Sequence, residues 1–132
     1  VISREEAKAV TSIDCSIDKM NNMSIYSLSG IEYFTNLTIL NCDGHQLTSL
    51  SLSGNKSLAM LYCSDNQLTD IDISGCTELR QLYCRRNNLS SLNIIRNVKL
   101  INVDCQSNNI SKLTIRYNQS LTSLICIDNP IT

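Results

Sequence analysis

A step of 21 residues divides most of the sequence into copies of one phrase, and this step restricts the possible folds more than any other feature. The phrase is L-x-x-L-x-C-x-x-N-x-L-x-x-L-x-L/I. Its first position is occupied by Leu37, Leu58, Leu79, Leu100 and Leu121. A fixed period of this size is typical of proteins in which each copy is one structural unit stacked on the next. The repeat therefore predicts a solenoid.

The apolar spacing inside the phrase predicts a short strand in every copy. Side chains of a strand alternate between its two faces, so positions 4 and 6 point inward together while positions 3 and 5 point outward. The inward positions hold Leu40, Leu61, Leu82, Val103 and Leu124, then Cys42, Cys63, Cys84, Cys105 and Cys126. One copy cannot bury this face alone, so the copies stack and their strands pair in parallel, about 4.8 Å apart.

Two polar columns accompany the apolar ones. The ninth position holds His45, Asn66, Asn87, Asn108 and Asn129, and the nineteenth holds Asn55, Cys76, Asn97 and Asn118. An amide side chain both donates and accepts hydrogen bonds, so Asn at a turn can satisfy backbone groups that would otherwise be buried without partners. Both columns are therefore interpreted as structural, with Cys76 replacing Asn in the second.

Composition agrees with a repeated pattern and excludes several classes of protein. Leu, Ile, Ser and Asn make up half of the 132 residues. The net charge of −1 argues against a non-specific polyanion binder. The basic residues between Arg80 and Arg116 fall into two small patches on opposite sides of the repeat, which argues against nucleic-acid binding. No apolar run is long enough to cross a bilayer, and Val1 leads directly into polar sequence, so we expect a mature, excised or cytosolic chain.

The phrase resembles the leucine-rich-repeat family, and its 21-residue form resembles repeats of bacterial secreted and surface proteins related to internalins. The resemblance covers residues 10–132, and residues 28–38 look like the lead-in to such repeats. Cys at position 6 and His45 in the Asn column depart from the pattern. The resemblance implies a right-handed, mostly β solenoid of the α/β class, with a concave parallel sheet and an irregular convex side. It also implies an extracellular or cell-surface protein of a bacterium, with a cytoplasmic location as the alternative.

The chain is expected to form one leucine-rich-repeat domain over 1–132. Residues 1–9 form a helical cap in this interpretation, because Ser3 and Glu6 have the spacing of a capping box. Residues 10–36 form an atypical first repeat with an insertion, and 37–132 form five 21-residue repeats, the last incomplete. No closing cap follows Asn129, so we expect either a fragment of a longer protein or an edge available for self-association.

Six of the seven cysteines, Cys15 and the five at position 6, form one inward column. Disulfides, a metal site and packed thiols are the alternatives. Same-facing side chains on parallel strands rarely meet disulfide geometry, and zinc sites favour close C-x-x-C pairs, which are absent. Packed thiols are therefore favoured, with neither metal nor cofactor.

Catalysis is not expected. His45, the only histidine, lies in a structural column without a nucleophile beside it, so no catalytic residue is assigned.

Function is expected on the outward strand positions, where residues vary without disturbing the core. Tyr, Met and Arg are enriched at interface hot spots, and several cluster on adjacent repeats. The predicted binding residues are Met60, Tyr62, Arg80, Tyr83, Arg85, Arg86 and Asp104. A non-enzymatic module binding an unknown protein or glycan is the leading hypothesis. Tyr pairs also pack across strands for stability alone, and a structural spacer of a larger surface protein is the alternative.

Overall fold

A computed structural model describes residues 1–132 and has the predicted architecture, a parallel-sheet solenoid with one short N-terminal helix. Strands of three residues alternate with turns along the whole chain. The elements are α1 (Arg4–Ala9), β1 (Ser12–Asp14), a 3-10 turn (Ile31–Tyr33), β2 (Ile39–Asn41), β3 (Ser49–Ser51), β4 (Met60–Tyr62), β5 (Asp70–Asp72), β6 (Gln81–Tyr83), β7 (Asn102–Asp104) and β8 (Ser123–Ile125).

The helix α1 begins at a capping box. The Ser3 hydroxyl accepts a hydrogen bond from the Glu6 N–H at 3.2 Å, and the Glu6 carboxylate accepts one from the Ser3 N–H at 2.7 Å. These two bonds satisfy donors that the first helical turn leaves free. Ala7 is the buried residue of the helix, and α1 precedes the first strand of the sheet.

Six strands form one parallel sheet in the order β1-β2-β4-β6-β7-β8. The register follows the repeat: Leu40 pairs with Leu61, Leu61 with Leu82, and Leu82 with Val103. These central residues are at most 1% exposed, so the four inner strands bury their middle side chains, whereas those of the outer strands β1 and β8 are half-buried. The opposite, outward surface of this sheet is called the concave face below.

The other side of the coil consists mostly of turns, as predicted, with one addition. Strands β3 and β5 pair in parallel through Leu50 and Ile71, both buried. Position 14 of the phrase therefore forms a second, two-stranded sheet in two neighbouring coils.

Asn side chains connect successive coils at the ninth position. The Asn87 Oδ1 atom accepts a hydrogen bond from the Leu68 N–H at 3.0 Å. Its Nδ2 donates to the carbonyls of Cys63, Cys84 and Arg85 at 3.0 to 3.3 Å. Asn66, Asn108 and Asn129 make the same bonds in their own coils. One buried amide per coil thus satisfies the backbone of two coils.

The Asn side chains at the nineteenth position use their donor group but not their acceptor. Asn97 Nδ2 donates to the carbonyls of Ile73 and Cys76, both at 2.9 Å. Its Oδ1 is buried without a partner, and the same holds for Asn55 and Asn118. Cys76 takes the Asn place in its coil, with Sγ 3.5 Å from the Leu52 carbonyl. Donation to the preceding coil is therefore the function that this position requires.

Candidate functional site

Two tyrosines stand side by side at the centre of the concave face. Tyr62 on β4 and Tyr83 on β6 are register partners. Their rings are stacked, with centroids 5.0 Å apart and planes 5° from parallel. The Tyr83 hydroxyl donates to Gln81 Oε1 at 3.3 Å, which fixes the ring on its strand. Both side chains are half-buried, so the pair presents an aromatic surface of fixed orientation.

Short polar residues occupy the equivalent position on neighbouring strands. Asn41 and Asp104 each end a strand, and each accepts a hydrogen bond from the N–H two residues later, at 3.1 and 3.2 Å. Asp14 makes the same turn at the end of β1. The tyrosine pair is therefore flanked by Asn41 on one side and Asp104 on the other.

The three predicted arginines lie at the two ends of β6. Arg80 directly precedes the strand and is exposed, while Arg85 and Arg86 come after its end, with one residue between Tyr83 and Arg85. Arg86 has a left-handed backbone with φ of 50° and pairs with the Asp65 carboxylate, its Nη2 lying 3.0 Å from Oδ2. That hydrogen bond raises the pKa of Arg86. Arg80 is thus at the opposite end of β6 from the other two arginines. Met60, the remaining predicted apolar residue, is half-buried on β4.

An acidic group that the sequence prediction omitted also lies here. The half-buried Asp43 accepts a hydrogen bond from the Ser64 N–H at 2.6 Å. Burial raises the pKa of Asp43, and Asp65 acts in the same direction, whereas Ser64 and the Arg85 guanidinium lower it. The available signal was the 21-residue step, which places Asp43 beside Ser64 on the adjacent coil.

The cysteines contribute to the core. Cys42, Cys63, Cys84 and Cys105 are fully buried, and all seven thiols are unpaired. Burial raises the pKa of each of these four thiols, to about 11 for Cys105. No group of three or more His, Cys, Asp or Glu side chains is arranged to hold a metal ion.

His45 replaces Asn in the first full coil. Its Nδ1 accepts a hydrogen bond from the Ile25 N–H at 3.2 Å, and its Nε2 faces the Cys15 carbonyl. These bonds correspond to those of Asn66 with Leu47 and Cys42 one coil later. Both ring nitrogens are therefore used by the backbone of the atypical first repeat.

Comparison with known proteins agrees with the solenoid fold. A family model described as leucine-rich repeats in two copies matches residues 56–97. An internalin (InlF) from Listeria monocytogenes is similar over 99% of this chain, with 30% identity and a TM-score of 0.87. This chain is a leucine-rich-repeat solenoid that is similar to internalins.

Two further solved structures resemble this leucine-rich-repeat protein. The functional domain of InlJ from Listeria monocytogenes, which includes a cysteine ladder, is 28% identical over 99% of this chain with a TM-score of 0.61. A leucine-rich-repeat protein of Leptospira interrogans shares the fold, at 17% identity over 98% of this chain and 46% of its own, with a TM-score of 0.61. The chain spans 38% of the length of each of the two Listeria proteins. No curated protein matches the sequence.

The internalin-like fold supports a role as a protein-interaction module. No helix in the leucine-rich-repeat structure has the length and hydropathy that crossing a bilayer requires.

Proposed function

We propose that this leucine-rich-repeat protein is a non-enzymatic binding module that holds a protein partner on its concave face. The stacked Tyr62 and Tyr83 carry the proposal. They replace the short polar residues that end β1, β2 and β7, and they form a rigid aromatic surface beside Met60. Tyr and Met are enriched at interfaces, and Tyr buries a large area at a small cost in side-chain entropy because it has only two χ angles.

The charges around the pair favour a protein rather than a glycan. Asp43, Asp65, Asp104, Arg85 and Arg86 lie within two coils of the tyrosines, so both signs of charge surround an aromatic centre. Such an arrangement, an apolar centre with a charged rim, is that of a protein interface. Each ring also covers one face of the other, which leaves less ring surface for stacking against a sugar.

A surface or secreted location in a bacterium is the second part of the proposal. The similarity to Listeria internalins supports it. A signal for export in the full-length gene product, with the protein recovered from the culture medium or cell wall, would be the expected result.

The binding proposal is tested by screening the immobilised protein against an array of extracellular proteins and glycans. We expect a protein ligand whose affinity falls at least about tenfold when Tyr62→Ala and Tyr83→Ala are combined, since hot-spot aromatics contribute 2 kcal/mol or more, roughly. Tyr117→Ala is the matched control, because Tyr117 is exposed and stacks with Arg116 outside the sheet. Ligands unaffected by the double variant would refute the concave site. An absence of ligands would favour the spacer.

A further inference from the structure

Asp104 is the one acidic residue that the fold buries, and it has no cationic partner. It is 7% exposed. One carboxylate oxygen accepts a hydrogen bond from the Gln106 N–H at 3.2 Å, within its own turn. The three ion pairs of the molecule join Lys8 to Glu5, Arg86 to Asp65 and Lys99 to Glu78. Burying a carboxylate costs folding free energy unless a cation or several hydrogen-bond donors compensate it. Asp104 can therefore still bind a positively charged group.

The nearest arginines do not fill this role. Arg86 holds the Asp65 carboxylate of the preceding coil through two nitrogens, and Asp65 is the main cause of its raised pKa, to which Asp104 makes a smaller contribution. Arg85 acts on Asp43, two coils before its own. Neither guanidinium group makes a hydrogen bond or an ion pair with Asp104, which lies on the coil that follows β6.

Tyr83 and Ile125 flank Asp104. Tyr62 covers one face of the Tyr83 ring, so the other face is turned toward the next strand, where Asp104 is the register partner of Tyr83. On the far side Asp104 pairs with Ile125, which is 41% exposed. Neighbouring strands lie about 4.8 Å apart, so an aromatic face, a carboxylate and an aliphatic side chain occupy consecutive steps of the concave face.

We propose that Tyr83, Asp104 and Ile125 form a seat for an arginine side chain of the protein partner. This inference rests on the proposed function and names the chemistry of the group that the concave face recognises. A planar guanidinium stacks on the ring of Tyr83 and donates to the free oxygen of Asp104, while its methylene stem packs on Ile125. Arginine fits better than lysine because only its planar group can stack and donate at the same time.

The seat is tested with a defined probe. Acetyl-Gly-Arg-Gly-amide is titrated into the full chain while the backbone amide signals of Asp104 and Gln106 are followed by NMR. The same peptide with citrulline, a neutral isostere of arginine, is the matched ligand control. We expect saturable shifts with the arginine peptide and at least about tenfold weaker binding of the citrulline peptide, which is about 1.4 kcal/mol.

Asp104→Asn is the decisive variant. Asn41 shows that Asn at this position makes the same turn, so the substitution removes the charge and preserves the acceptor. We expect about tenfold weaker binding of the arginine peptide, and a similar loss with Tyr83→Leu. Asp70→Asn, at an exposed acid on β5 in the other sheet, should leave binding unchanged.

Equal binding of the two peptides, or unchanged binding by the Asp104→Asn variant, would overturn the seat. The outcome is separable from that of the proposed function. If the tyrosine double variant loses an array partner that the Asp104→Asn variant retains, the concave binding face stands and the seat is wrong. If the arginine peptide binds as expected and no array partner responds to the tyrosine variants, the seat stands and the proposed function is wrong.

Discussion

Replacing Asn87 by Ala tests whether the amide columns hold the coils together. The substitution removes the acceptor of the buried Leu68 N–H, which has no other partner. A buried donor without a partner costs about 1 to 3 kcal/mol. The carbonyls of Cys63 and Cys84 each lose one donor but retain another, from Asn66 and Asn108 respectively. Each of these two losses costs about 0.5 to 1.5 kcal/mol, so Asn87→Ala should lower the free energy of unfolding by about 4 kcal/mol.

The neighbouring Asn88 provides a matched control. Asn88 is exposed, and its hydrogen bond to the Leu68 carbonyl uses the backbone N–H, which Ala keeps. Asn88→Ala should therefore change the free energy of unfolding by less than about 0.5 kcal/mol. Both variants are compared with the parent by urea unfolding at pH 7, followed by circular dichroism.

A third variant separates hydrogen bonding from loss of volume. Asn87→Asp retains an acceptor for the Leu68 N–H but directs an oxygen at the carbonyls that Nδ2 now serves. We expect Asn87→Asp to be at least as destabilising as Asn87→Ala, since like partial charges would meet in a buried position. A stability of Asn87→Ala equal to that of Asn88→Ala, or full recovery by Asp, would refute this reasoning.

Three further outcomes are expected. Cys76→Asn should change the free energy of unfolding by less than about 1 kcal/mol, because Asn97 and Asn118 show the bonds that Asn makes there, and urea unfolding measures it. Burial raises the pKa of Cys76 to about 12 and that of Cys105 to about 11, so these thiols stay protonated in the folded state where the unfolded chain loses the protons, above about pH 8.5. The free energy of unfolding should therefore be unaffected below that pH and fall as the pH rises toward 12. Urea midpoints at pH 7 and pH 10 should show a smaller fall for Cys76→Asn than for the parent protein. His45→Ala should speed hydrogen exchange of the Ile25 N–H at least about tenfold, because that N–H loses its acceptor, whereas exchange at Leu68 should not change.

Periodicity predicts the parts of this fold that depend on stacking. An apolar side chain every 21 residues has to meet its own copy in the next coil, and the register of Leu61 with Leu82 is the direct consequence. The same reasoning placed Tyr62 beside Tyr83, because register partners of a parallel sheet are also neighbours on its outer face. Their stacking angle depends on contacts such as Tyr83 with Gln81, which the repeat does not specify.

Features that depend on backbone conformation were not predicted. The eighth position is left-handed in all five copies of the phrase, with φ between 50° and 81°, although its residues differ in type: Gly44, Asp65, Arg86, Ser107 and Asp128. Such a conformation usually favours Gly. Because the residues at the eighth position differ, the sequence pattern did not reveal the turn that they share. It also did not reveal the Asp65–Arg86 pair, which this turn places at the rim of the concave face.

Stability and recognition use different positions of the same repeat. Inward Leu, Ile and Cys side chains bury the core, and the two Asn columns satisfy the backbone between coils. The outward positions of the strands neither fill the core nor connect the coils. Different side chains therefore occupy one outward column without altering the register: Asn41, Tyr62, Tyr83 and Asp104. An exchange in that column can therefore change what the surface binds while the sheet beneath it stays the same. Asp104 shows the limit of this freedom, because a buried charge costs stability wherever it lacks a partner. That cost is recovered when a cation binds, which is why the concave face is expected to prefer a partner that presents one.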